Sequence, residues 1–163
     1  HEATRIRISG LVETTSTDGI VGGQYEPLPL LFYLAETDLT AESDDVLDLA
    51  SAVRVATSKD PADAMHRLMV EVGNALSYAH DPETGRVTAA EALAETTGDS
   101  RAHAHVFIAC ARALEVPARF VSGYRLAAED DEAAAERRYC WAEAWVENLG
   151  WVGFDPVHQC NPN

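Results

Sequence analysis

Lysine is almost absent from this chain. Lys59 is the only one, and the 12 basic side chains face 27 Asp and Glu, for a net charge of −15. A surface this acidic repels phosphate backbones and anionic headgroups, which argues against nucleic acid and membrane as partners. Cysteine is also scarce. Cys110, Cys140 and Cys160 form no CxxC pair and no even disulfide framework, so reduced thiols in a cytoplasmic protein are expected. There is no apolar run of about 18 residues or more, which excludes a transmembrane helix in this sequence, and no signal-peptide pattern is visible. The chain begins at His1 rather than Met, as a processed chain, a tag remnant or a piece of a longer product would.

The 163 residues fit one compact domain, and a hydrophobic fraction of 47% suffices for a packed core. Arg5, Ile6, Arg7 and Ile8 alternate with the period of a half-buried strand. Turn signals follow at Thr17-Asp18-Gly19 and Gly22-Gly23. Pro27 and Pro29 precede the apolar patch Leu30–Leu34, so residues 24–42 read as an extended linker or edge element. Residues 44–56 read as a weak helix. Asp60-Pro61 opens a stronger one, whose Met65, Leu68, Met69, Val72 and Leu76 recur every three or four residues.

Thr88 and Glu91 form a capping-box pattern that starts a short helix ending before Gly98. A largely apolar helix over about 100–115 follows, ended by Pro117, and then a strand at 118–124. Residues 127–138 are acidic, rich in alanine, and read as a solvated loop or short helix. Tyr139–Val146 and Gly150–Phe154 read as two strands of a hairpin. Helices first and an antiparallel sheet after them make the fold class α+β, with a buried central helix packed on the sheet.

Three segments carry the chemistry: Gly98-Asp99-Ser100-Arg101-Ala102-His103-Ala104, Tyr139-Cys140-Trp141-Ala142-Glu143, and Gly150-Trp151-Val152-Gly153-Phe154-Asp155-Pro156. In this order they resemble the core of the transglutaminase-like superfamily, relatives of papain-like cysteine enzymes. The family pattern reads G-x-C-x-D-H-A, then H-A-W-A-E-V, then G-W-x-x-F-D-P. The resemblance covers about residues 60–157. It implies a core over 43–163 preceded, in 1–42, by the tail of a β-rich domain and a linker.

The resemblance also implies three catalytic positions: a cysteine at the start of the buried helix, a histidine on the next hairpin strand, and an aspartate after the second. This chain has Ser100, Tyr139 and Asp155 there, with Ala102 in place of the family's aspartate and His103 matching its histidine. A thiolate at a helix N-terminus is favoured by the dipole and by a neighbouring imidazolium. A serine hydroxyl titrates far above the ~8.5 of a free thiol and needs a general base. A tyrosine titrating near ~10 is a poor base at neutral pH. Asp155 is expected to accept the Tyr139 hydroxyl instead of orienting an imidazole.

Each residue has a plainer role to weigh. Ser100 is a good helix N-cap. His103, three residues on, can pair with it as a dyad or be a hydrogen-bonded core histidine. His103 and His105 point roughly 200° apart on a helix, which does not suit a shared metal, and no cofactor is implied. Cys140 should face away from the site if Tyr139 faces it. Trp141, Glu143 and Trp151 are candidates for a substrate groove, or for packing and solvated charge.

The expected function is therefore a degenerate transglutaminase-like domain that binds a peptide or protein in the former active-site cleft. The alternatives are an amide hydrolase or acyltransferase using Ser100, and a cysteine enzyme whose nucleophile was replaced by serine. A single replacement accounts for Ser100 but not for Tyr139 or Ala102.

Overall fold

The structure is a computed structural model. It describes residues 10–11, 13–22, 26–56, 60–79, 87–124 and 139–162. The strand expected around Arg5–Ile8 and the acidic stretch 127–138 lie outside the described residues. In chain order the elements are β1 (Ile20–Val21), a 3-10 helix (Leu30–Leu34), α1 (Asp44–Ala56), α2 (Pro61–Ala75), β2 (Ser77–Tyr78), α3 (Ala89–Glu95), β3 (Thr97–Gly98), α4 (Ser100–Ala113), β4 (Ala118–Gly123), β5 (Tyr139–Val146) and β6 (Gly150–Phe154).

The helices start where their caps dictate. Asp60 accepts from the Ala62 amide, with Pro61 in the first turn. Thr88 and Glu91 complete a reciprocal capping box. The segment after Pro27 and Pro29 closes into a 3-10 helix rather than staying extended, with Pro29 as its cap. Proline's fixed φ suits a tight first turn as well as an extended chain.

Four strands form one antiparallel sheet in the order β1-β6-β5-β4. The β5–β6 hairpin closes through Asn148 at φ 70° and Gly150 at φ 89°, left-handed positions that asparagine and glycine tolerate. On the sheet face toward α4, Ala142, Ala144, Val152 and Phe154 join Val106, Phe107 and Cys110 in the core. Phe107 and Phe154 stack with centroids 5.2 Å apart. Small residues on β5 let α4 lie close to the sheet, and its first turn thereby meets the open end of the hairpin. That is where the candidate site sits. The α+β arrangement of a buried helix on an antiparallel sheet is the one the element order predicts.

Candidate functional site

The N-terminus of α4 is built by Gly98-Asp99-Ser100. Asp99, not Ser100, is the N-cap: its carboxylate accepts from the Arg101 amide at 3.0 Å and the Ala102 amide at 3.1 Å. Capping by Asp99 leaves Ser100 as the first helical residue, with its hydroxyl turned elsewhere. A side chain on Gly98 would collide with Ala102, so glycine is required there and Ala102 fills the space beside it.

Ser100 is buried, and its Oγ accepts the Cys140 backbone N–H at 3.1 Å. The expected proximity of Ser100 to the start of β5 is therefore present, through the amide of Cys140. Tyr139 and Asp155 meet at the open end of the hairpin, both 2% exposed. The Tyr139 hydroxyl lies 2.9 Å from each oxygen of the Asp155 carboxylate and donates to it. This is the contact anticipated from the sequence. Asp155 also accepts from the Val157 amide at 3.0 Å.

A fourth member was not anticipated. His158 Nδ1 lies 2.9 Å from Asp155 Oδ2 and 2.7 Å from the Tyr139 oxygen. The carboxylate fixes the Nδ1–H tautomer, which leaves Nε2 as the basic nitrogen. The Asp155-Pro156 turn brings residue 158 back onto the carboxylate. A histidine three residues beyond an Asp-Pro turn is the signal that marks it in the sequence.

His103 is buried, with Nδ1 2.9 Å from the Asp99 carbonyl and Nε2 3.4 Å from the Leu76 carbonyl. Its ring nitrogens thus face backbone acceptors, the geometry of a core histidine rather than of a base for Ser100. Burial pushes its imidazole below the usual 6.5, against the opposing pull of those carbonyls and of the Asp155 and Asp99 charges. His105 turns to the Val87 carbonyl at 3.2 Å, away from His103's partners. Among the described residues no group of three or more His, Cys, Asp or Glu is placed to hold a metal ion.

The three groove candidates sit farther along the sheet. Alternation puts Trp141 and Glu143 on the face opposite the alanines that meet α4. Glu143 accepts from Arg119 at 2.7 and 2.6 Å. Arg119 also pairs with Glu26 at 3.0 Å and lies 4.2 Å above the Trp151 ring. Trp151 donates its indole N–H to Glu26 at 2.8 Å, and Tyr33 donates to the same residue at 2.7 Å. Glu143 and Trp151 thus belong to a polar and aromatic cluster that ties residues 26–33 to the back of the sheet. Trp141 packs over Gly123, where a Cβ would come within 2.6 Å of its ring.

Residues 49–156 match the family model of the transglutaminase-like superfamily. Among solved structures, the chain is similar to a candidate cysteine protease from Cytophaga hutchinsonii, at TM-score 0.66 and 21% identity, over 80% of this chain and 43% of that one. It is similar to the periplasmic domain of TgpA from Pseudomonas aeruginosa bound to ethylmercury, at TM-score 0.60 and 23% identity, over 80% of this chain and 49% of that one. A second structure of that domain gives TM-score 0.58 at 21% identity, over 80% of this chain and 47% of that one. The chain thus spans less than half the length of these structures. No curated protein matches it. No helix among the described residues is long and apolar enough to cross a membrane.

Proposed function

This chain belongs to the transglutaminase-like superfamily, and on that premise we propose that its domain does not run thiol-based acyl transfer and serves as a binding or scaffold module. The occupant of the former active-site cleft is a peptide or protein segment. One observation carries this reading: the Asp155 carboxylate is engaged by the Tyr139 hydroxyl, where the family chemistry needs an imidazole. Tyr139 donates to that carboxylate and is a poor proton acceptor at neutral pH. Ser100 has the location of the nucleophile without its acidity, and His103 faces carbonyls. Three cysteines without a CxxC pair or an even framework in the sequence suit a reducing compartment, and the proposal puts the domain in the cytoplasm.

A second reading has its own support. His158 pairs with Asp155 as a catalytic imidazole pairs with its orienting acid, and its side chain is 27% exposed. On this reading Ser100 is the nucleophile of an amide hydrolase or acyltransferase and His158 is its base. The test is amide hydrolysis and amine incorporation over a broad peptide panel, with the Ser100→Ala and His158→Ala variants alongside. Absence of turnover in all three fits the binding module. Turnover abolished by either substitution establishes the serine enzyme in its place.

A further inference from the structure

Arg112 lies in the last turn of α4, and its hydrogen bonds among the described residues all go to neutral groups. Its Nε donates to the Tyr33 carbonyl at 2.9 Å, Nη1 to Thr40 Oγ1 at 2.8 Å, and Nη2 to the Ala118 carbonyl at 2.9 Å. All three acceptors are neutral, and they use three of the five N–H groups of a guanidinium. Among the described residues no ion pair reaches it. Burial pushes its pKa below the usual arginine value, opposed by the charge of the Glu36 carboxylate. The other cation nearby, Arg101, is matched by Asp99 at 2.7 and 2.5 Å.

Arg112 lines a cavity of about 380 Å³, within the usual size range of small-molecule sites. Arg101, His105, Ile108 and Arg112 recur at spacings of four, three and four, so one stripe of α4 forms its floor. Leu39, Val87 and Phe120 supply apolar walls. Ser100 projects about 100° around the helix from Arg101, so this cavity lies to the side of the Ser100 site.

We propose that this cavity binds a small organic carboxylate with an apolar body. The spare N–H groups of Arg112 receive the anion, and Leu39, Val87, Ile108 and Phe120 cover the apolar part. Arg112 is half-buried, and a guanidinium and a carboxylate make charge-assisted hydrogen bonds, the stronger class. The chain's net charge of −15 opposes anions at a distance. That repulsion is screened beyond about 8 Å at physiological salt, while Arg112 acts at contact. The proposal goes beyond the function above and holds whether or not the Ser100 site turns over a substrate.

The experiment is calorimetry on the full chain with octanoate, octanol and octylamine at matched ionic strength. Octanoate is expected to bind saturably at one equivalent, roughly tenfold or more tighter than octanol, as bonds to a charged group imply. Octylamine is expected not to bind. Thr37→Trp, at an exposed position on the cavity wall whose hydroxyl meets Thr40 Oγ1 at 2.8 Å, is expected to weaken octanoate at least tenfold (about tenfold per 1.4 kcal/mol) and to lower the melting temperature by no more than the loss of that one hydrogen bond. Arg112→Gln should remove the preference for octanoate over octanol. Arg112 also joins three backbone and side-chain acceptors, so if that variant unfolds, Thr37→Trp decides alone. Equal binding of octanoate and octanol, no saturable binding, or octanoate binding untouched by Thr37→Trp overturns the proposal.

Discussion

Glu143 and Asp155 are buried carboxylates on one β-hairpin, 6% and 2% exposed, and they are held in opposite ways. Glu143 faces Arg119, a permanent cation that is itself shared with Glu26 and laid over Trp151. Asp155 faces a phenol, an imidazole and a backbone amide. The first arrangement has its countercharge supplied by a group that does not titrate near neutrality. The second is a carboxylate whose partners exchange protons. A carboxylate beside arginine is suited to fixing structure, and one beside titratable groups is suited to chemistry or recognition. The comparison separates a clamp for residues 26–33 from the cluster of Tyr139, Asp155 and His158, although Glu143 and Asp155 were candidates for one site.

The largest effect is expected at the clamp. Arg119→Ala leaves Glu143 buried without its cation and should cost about 3 kcal/mol in urea unfolding, in line with breaking a buried pair. A loss below about 1 kcal/mol, the size of an exposed ion pair, would dissolve the distinction. Tyr139→Phe comes next. It removes one hydrogen bond to a charged acceptor and should cost about 2 kcal/mol, with His158 still bonded to Asp155. A cost matching that of Arg119→Ala would put both carboxylates in the same class.

Smaller effects are visible only against pH. His103 is held neutral by burial, with a folded pKa below its ordinary 6.5. Its contribution is complete above that value and is lost as pH falls toward the folded pKa, because the unfolded chain binds the proton more readily. His103→Asn should flatten the stability profile below pH 6.5. Glu26 is held below the usual carboxylate range chiefly by the Tyr33 hydroxyl, with the Leu28 amide, Trp151 and Arg119 adding to it against desolvation. Its contribution is present above the ordinary carboxylate value and is lost as pH falls through the depressed one. Glu26→Gln should lower the urea midpoint above the ordinary carboxylate value and converge with the parent protein in acid, the smallest change of the four.

Much of the fold was legible because local signals and packing agreed. Asp60-Pro61, the Thr88–Glu91 box and the alternation in Tyr139–Val146 each specify their element without help from distant contacts. The contact of Tyr139 with Asp155, and the approach of Ser100 to the backbone of β5, were legible through the family motifs. What escaped depended on tertiary closure. Asp99 took the cap from Ser100 because a carboxylate at that position reaches both free amides. His158 reached the site through a turn whose path the sequence does not spell out. The Glu26–Arg119–Glu143 clamp joins residues up to 117 positions apart, and no periodicity reports a contact across that distance.

On the proposed function, Tyr139, and not only Ser100, keeps this domain from the family chemistry. The most direct measurement is the pH dependence of iodoacetamide alkylation at position 100, read by peptide mass spectrometry, in Ser100→Cys and in the double variant Ser100→Cys/Tyr139→His. With an imidazole at position 139 beside Asp155, the thiol of the double variant should titrate roughly one unit or more below that of the single one. Coincident profiles, with a low thiol pKa already present in the single variant, would contradict the claim and assign the base to another residue, His158 first.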